Sequence, residues 1–294
     1  MSQKQQTMKT IIAEKPSVAK EIAHIVGADK REEGYMQGNG YYVTWAFGHL
    51  VQPAMPETYG MKGFHAENLP VIPDPFVLVP RQVKTENGYK PDAGVLAQIK
   101  IIGKLFDSSE RIIVATDAGR EGELVARWIL DKSGCHKPIR RLWISSVTDK
   151  AIKEGFAHLK DGRAYNDLYH AARSRAEADW LVGINASQAL MLSAGRGGYS
   201  LGRVQTPTLA MICRRFRENR DFISDTFHQL QLTVEKDGVR FTSLNPGVYK
   251  DRAEAEAKLS EARKADRAIV LDVLCKEIAQ EAPLLYDLTT LQRD

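Results

Sequence analysis

Apolar positions follow two alternating rhythms in the first half of the chain. Thr10-Ile11-Ile12-Ala13, Tyr41 to Phe47 and Ile112-Ile113-Val114-Ala115 are short runs rich in β-branched or aromatic residues, which predicts buried strands. Between them, apolar residues recur at helical spacing. One set is Val18, Ile22, Ile25 and Val26, a second runs from Val95 to Leu105, and a third is Leu124, Val125, Trp128 and Ile129. Arg140 to Ile144 predicts a last strand, and Thr148-Asp149 the start of another helix. Strand and helix in strict succession predict a parallel sheet with flanking helices. Residues 51–90 are rich in Pro, Gly and Lys without a sustained period. They predict a long insertion on the sheet's edge rather than a separate core.

From about Gly155 the pattern changes. Arg163 to Ser193 predicts one long helix, with Gly183 as the only Gly or Pro inside it. A Gly-rich loop, Gly195 to Gly202, precedes Thr206 and Pro207, expected as N-cap and first residue of a further helix. That helix is expected to bury Leu209, Ile212, Cys213 and Phe216 and to expose Arg214, Arg215, Arg217 and Arg220. Phe227 to Glu235 and Val239 to Leu244 alternate about Asp237-Gly238, a hairpin signal. Asp251 to Lys264 predicts a helix, Ala268 to Lys276 a strand, and Pro283 to Leu291 the start of a new element. The fold class expected is α/β: an open parallel sheet with flanking helices, then a mainly helical domain, then a small antiparallel β region. The boundaries fall at 8–153, 154–220, 221–280 and 281–294.

Composition narrows the classes. At 294 residues the chain suits about two domains, and the net charge of +4 leans mildly towards an anionic partner. Cys135, Cys213 and Cys275 lie far apart with no CxxC pair, which argues against a zinc site or a disulfide framework. A reducing, cytoplasmic location is expected. No apolar run is long enough to span a bilayer, and Met1 to Thr7 is too polar for a signal peptide.

The candidate chemistry sits at strand ends. Asp117 closes the Ile112 to Ala115 strand, and Glu121 stands in the first turn of the next helix. Glu14 closes the first strand, followed by Lys15 and Pro16. If these strands are parallel neighbours, Glu14, Asp117 and Glu121 converge at the carboxyl edge, where open α/β sheets bind ligands. Carboxylates with no cysteine nearby suit a hard cation such as Mg²⁺. The blander alternatives are a helix-dipole role for Glu121 and Glu123, a solvated Glu14-Lys15 pair, and a structural turn residue in His49. Arg175 and Asp179 share one stripe of the long helix, as a binding pair or as a surface ion pair. Ser200, Arg203, Gln205 and Thr206 precede a helix start and would suit phosphate, whereas the arginine run behind them could be a solvated face.

Several of these segments, in this order, resemble type IA DNA topoisomerases, most of all the bacterial topoisomerase III group. They are Ile12 to Ser17, Trp45 to Leu50, Asp117 to Glu123, Ala176 to Trp180, and Ser200 to Pro207. The resemblance covers essentially the whole chain after Met8. Its strand-end Glu with Asp-x-x-x-Glu belongs to the wider Toprim fold, shared with primases and some nucleases. Gly202 to Pro207 is much more specific. The resemblance implies a Toprim catalytic and metal domain at 8–153 and a single-stranded-DNA groove domain at 154–220. It implies the start of a β-rich arch at 221–280 and a truncated start of a tyrosine-bearing domain at 281–294.

The mechanism implied is attack by a tyrosine on one DNA strand, leaving a 5′-phosphotyrosyl bond and a 3′ hydroxyl. The other strand then passes and the break is resealed. Glu14 would do acid–base work on the 3′ oxygen and Lys15 would steady the phosphate's charge. Glu14, Asp117 and Glu121 would hold Mg²⁺. Arg175, Asp179, Ser200, Arg203, Gln205 and Thr206 would line the groove for single-stranded DNA. The chain departs from the family twice. Gly119 stands where the metal motif usually has a second Asp, either leaving the cation short of a carboxylate or serving a turn of positive φ. And no tyrosine here is followed by proline, so the nucleophile is expected beyond the chain. The fragment is expected to bind single-stranded DNA and not to cut it alone. Two other readings are a stand-alone single-stranded-DNA-binding module and a Toprim nuclease or primase. Neither accounts for Gly202 to Pro207, and a primase would usually carry a zinc ribbon.

Overall fold

The computed structural model describes residues 7–286, apart from 62, 64, 87, 196, 266, 281 and 284. The chain opens with β1 (Lys9–Ala13) and α1 (Pro16–Val26), followed by β2 (Lys30–Glu32), β3 (Tyr35–Gly38) and β4 (Tyr41–Trp45). The insertion contributes β5 (Val51–Pro53), β6 (Leu78–Pro80), β7 (Gln82–Thr85) and β8 (Gly88–Pro91). Next come α2 (Ala93–Asp107), β9 (Arg111–Ala115), α3 (Arg120–Lys132), β10 (Ile139–Arg141), α4 (Asp149–Ala157) and β11 (Lys160–Asp161). The second half holds α5 (Asn166–Ala194), α6 (Gln205–Arg220), β12 (Gln231–Lys236), β13 (Val239–Leu244) and α7 (Arg252–Lys264).

One seven-stranded sheet has the order β11-β10-β9-β1-β4-β3-β2. Its centre, β10-β9-β1-β4, is parallel, and β2, β3 and β11 are antiparallel additions. β10 is not the last strand of the sheet as expected, because β11 follows it and pairs with it antiparallel. The β2–β3 pair and the two-residue β11 lack a long apolar run because they lie where burial is incomplete. The central runs are apolar because the sheet is covered on both faces. Ile12, Ile112 and Val114 pack with Val95, Ile102, Phe106, Trp128 and Ile129 on one face. Ile11, Ala13, Val43, Ile113 and Ala115 pack with Ala19, Ile22, Ala23 and Ile152 on the other. Side chains alternate between α2 and α3 on one side and α1 and α4 on the other.

Local chemistry sets the helix ends. The Asp92 carboxylate accepts from the Gly94 and Val95 amides to start α2, and the Thr148 hydroxyl accepts from the Ala151 amide to start α4. Gly27 ends α1 in the left-handed conformation, at φ 75°. The insertion pairs β5 with β6 and β7 with β8 and docks on α5. Trp180 of α5 lies edge-on to Tyr59 and Phe76 and donates to the Ala54 carbonyl, and Asn185 bonds the Val71 backbone in both directions.

The chain divides into two compact units between Arg214 and Arg215. In the second unit Asp237 and Gly238 both take positive φ in the β12–β13 turn, as the Asp-Gly signal predicts. Two expectations fail. Ala268 to Lys276 forms no strand, since a strand needs a paired neighbour and Ile269, Leu271 and Leu274 are exposed instead. And α6 buries none of its residues: Leu209, Ile212, Cys213 and Phe216 are all exposed. Periodicity reports an apolar face, and burial further requires an element to cover it. Of Pro283 to Leu291, residues 284 and 287–291 lie outside the described residues.

Candidate functional site

β1 and β9 are parallel neighbours with Ala13 opposite Ala115. Glu14 and Asp117 therefore leave the sheet side by side. A Glu14 carboxylate oxygen (Oε2) accepts from the Asp117 amide at 3.1 Å, and Lys15 Nζ lies 3.3 Å from Asp117 Oδ2. Lys15 thus pairs with Asp117 across the strands, not with its sequence neighbour Glu14. Both Lys15 and Asp117 remain open to solvent. Pro16 at the first helical position of α1 fixes Lys15 in extended backbone at the sheet's edge.

The turn after β9 is tight. The Gly119 amide donates to the Asp117 carbonyl at 2.9 Å, and α3 starts at Arg120. Gly122 lies against the Asp117 backbone, where a Cβ would collide with the carbonyl, so only glycine fits. The Thr116 hydroxyl donates to the Gly122 carbonyl at 2.7 Å and ties strand end to helix start. Gly119 itself has φ −177° and ψ 178°, ordinary extended backbone, and a Cβ there would meet open space. The idea that the turn requires positive φ at this position is overturned.

Glu121 is exposed in the first turn of α3, with His49 Nε2 at 3.7 Å from its carboxylate. His49 also stands edge-on to Trp128, so it faces the same edge. Glu14, Lys15 and Asp117 are in direct contact, and Glu121 is engaged with His49 instead. Among the described residues no three His, Cys, Asp or Glu side chains are gathered closely enough to hold a metal ion. In donor type the carboxylates match a hard cation, but Lys15 already balances Asp117, which leaves few fixed charges for one.

A buried network beneath this edge was not legible beforehand. Arg141 on β10 is 1% exposed and Glu123 on α3 is 2% exposed. Arg141 Nε donates to Glu123 at 3.0 Å, and the rest of the guanidinium donates to the carbonyls of Val114, Thr116, Asp117 and Leu142. Trp143 covers it, 4.9 Å from ring centre to guanidinium carbon. Burial pulls the Arg141 guanidinium below its usual value, and the Glu123 carboxylate opposes that pull. Arg127 binds the other Glu123 oxygen at 2.9 Å. The buried cation thus clamps the β9 terminus that carries Asp117. The one sequence signal was Glu123 and Arg127 at i, i+4 beside an apolar stripe.

Asp179 on α5 is shared by Arg175 of the same helix and Arg203 of the loop before α6: Arg203 Nε is 2.6 Å from Asp179 Oδ1 and Arg175 Nε 3.8 Å from Oδ2. The loop before α6 is pinned to α5 by Ser187, whose hydroxyl accepts from the Leu201 amide at 2.8 Å. Ser200 accepts from the Gln205 side chain at 2.9 Å. Thr206 is not the N-cap. The helix already begins at Gln205, and the Thr206 hydroxyl accepts from the Gly202 amide at 3.1 Å, closing the loop instead. Pro207 is still tolerated in the first turn, where its missing amide has no helical partner. An open concavity of about 640 Å³ is bounded by Asp179, Arg203, Gln205 and Leu209.

Residues 9–147 match the Toprim domain family and residues 163–294 match the DNA topoisomerase family. The chain is 46% identical over 291 residues to DNA topoisomerase 3 of Shouchella clausii and 43% identical over 298 residues to that of Bacillus subtilis. Each alignment covers 97% of this chain and 38% of the relative, so the chain spans well under half the length of these relatives. In fold it is similar to full-length topoisomerase I from Thermotoga maritima, with a TM-score of 0.54 at 22% identity, over 85% of this chain and 37% of that one.

Proposed function

The chain belongs to the type IA DNA topoisomerases, and from that premise we propose that it forms the amino-terminal part of an enzyme that cuts, passes and reseals single DNA strands. The observation that carries this reading is the contact of Glu14, Lys15 and Asp117 at the carboxyl ends of adjacent parallel strands. As a tyrosine oxygen gives its proton to solvent and bonds to phosphorus, the bond from phosphorus to the 3′ oxygen breaks. Glu14 gives that oxygen a proton and takes it back on resealing. Lys15 offsets the charge gathering on the phosphate. In this reading the nucleophilic tyrosine lies outside residues 1–294, and the work is proposed to be cytoplasmic. Domain limits at 153, 220 and 280 belong to the same proposal. No described helix is long and apolar enough to cross a membrane.

Glu14, Asp117 and Glu121 would hold Mg²⁺, which would supply positive charge chiefly for resealing. With Gly119 in place of a carboxylate and Lys15 on Asp117, the chain alone is expected to bind Mg²⁺ weakly. Gly119→Asp is expected to tighten that affinity roughly tenfold, about 1.4 kcal/mol, without lowering the melting temperature, because the backbone and space at 119 accept a side chain. Calorimetric titration of Mg²⁺ reads this. Unchanged affinity in a normally melting variant would show that position 119 does not face the ion.

The α5–α6 groove is proposed to hold single-stranded DNA. Two guanidinium groups on one carboxylate leave a net positive charge beside the helix start, and Asp179 aims Arg203. Arg203→Ala is expected to weaken single-strand binding for all sequences alike and to reduce the salt slope by about 1. Anisotropy titrations at several salt concentrations test it. Equal affinity of the chain for duplex and single strands would contradict the groove assignment.

A further inference from the structure

The end of the sheet opposite the Glu14–Asp117 edge carries a cavity that none of this chemistry uses. It measures about 430 Å³ and opens where β9 and β10 begin, beside α3 and the segment after β11. The length of β9, about 17 Å for five residues, separates it from Asp117. Arg111, Arg127, Lys137, Arg140 and Arg163 line it, and among the described lining residues Asp161 is the one carboxylate.

The cations come from separate segments and converge. Arg127 is fixed at the wall, with Nη2 donating to the Gly162 carbonyl and to Asn166 while Nε binds Glu123. That carboxylate is shared with Arg141, so it does not leave Arg127 neutralised. Arg140 and Arg163 both lean on Asp161, at 3.9 and 3.6 Å. The Arg163 amide first, and then the Arg163 and Arg140 charges, hold the Asp161 carboxyl below its usual range. Even with Asp161 ionised, two guanidiniums compete for it, and Arg111 and Lys137 add further charge. Lys137 spends one donor on the Asp107 carbonyl at 3.4 Å and keeps the others. Such a concavity concentrates anions, and guanidinium forks match tetrahedral oxyanions.

We propose that this cavity is a phosphate-binding site, distinct from the cleavage edge and the α5–α6 groove and independent of the topoisomerase reading. Its ligand is a phosphate group, either free or carried on a nucleic-acid strand.

The test uses the full chain in amide-resolved magnetic resonance at neutral pH. Inorganic phosphate is titrated first and a single-stranded oligonucleotide separately. The site predicts saturable shifts at the Gly162 and Arg163 amides on phosphate addition. Arg111→Gln with Lys137→Gln is expected to weaken that binding at least roughly tenfold, as one lost charge-assisted contact would. These substitutions remove no buried ion pair, and Arg163→Gln serves as a second variant if the first melts early. Oligonucleotide shifts at the same amides would identify a strand as the source of the phosphate. Shifts with inorganic phosphate alone would identify free phosphate. No saturable shift with either probe, or equal affinity in a folded variant, overturns the proposal.

Discussion

Arg141→Met is expected to destabilise the first unit by about 3–5 kcal/mol, the cost of breaking a buried ion pair by removing one partner. In a unit of this size that lowers the melting midpoint by roughly 10 °C. The substitution removes the donors to Glu123 and to the carbonyls of Val114, Thr116 and Leu142, all buried, and to the part-buried Asp117 carbonyl. A methionine fills the volume but strips a donor from the Thr116 and Leu142 carbonyls and from one Glu123 oxygen, while the Val114 and Asp117 carbonyls keep the Leu142 and Gly119 amides. Glu123→Leu in the same chain is not expected to recover the loss, because Glu123 also holds Arg127 at 2.9 Å. Arg140→Met, one residue away and partly exposed, should change stability by less than about 0.5 kcal/mol. Chemical denaturation of these variants reads the result. Equal stability of Arg141→Met and wild type would show that the clamp carries no load.

Glu14→Gln is expected to lower strand cleavage by about 10²–10⁴-fold in a chain extended by the tyrosine-bearing domain, the usual worth of a positioned acid–base group. Glutamine keeps an oxygen that can accept from the Asp117 amide, so the edge should hold its shape. It cannot supply the proton that the 3′ oxygen needs. Glu14→Ala loses both the proton and the contact with Asp117. Single-stranded-DNA binding should be unchanged in the glutamine variant, since the proposed groove lies on α5 and α6. Rapid-quench cleavage of a short oligonucleotide separates the two effects, and a glutamine variant that cleaves within about threefold of wild type would remove Glu14 from the chemistry.

Much of the Glu14–Asp117 edge was legible because strand and helix alternation favours it. Apolar β-branched runs ending in Glu14 and Asp117 fit a parallel sheet covered on both faces, and the pairing of β1 with β9 sets those residues side by side. The Asp-Gly turn of β12 and β13 was legible for a local reason, since both residues accept positive φ. What escaped depends on partners distant in sequence. Arg141 reads as one of two basic residues in a strand, and only the packing of α3 beneath β9 shows that it faces inward. Thr206 has the chemistry of an N-cap, but Gln205 starts the helix and the hydroxyl turns to Gly202. The apolar stripe of α6 was legible as a face, while its exposure depends on what packs there. At Gly119 the residue type suggested a strained turn, and the extended backbone removes that reason.

In the proposed function the Glu14–Lys15–Asp117 edge is a strand-cleaving centre whose tyrosine comes from outside residues 1–294. Trapping of covalent protein–DNA adducts on labelled single-stranded oligonucleotide tests it most directly, comparing this chain, the same chain extended by the tyrosine-bearing domain, and the extended Glu14→Ala variant. An adduct is expected with the extended chain, none with residues 1–294, and little with Glu14→Ala. An adduct formed by residues 1–294 alone and mapped to Tyr286 or any other tyrosine in them, or full adduct yield in the extended Glu14→Ala variant, would contradict it.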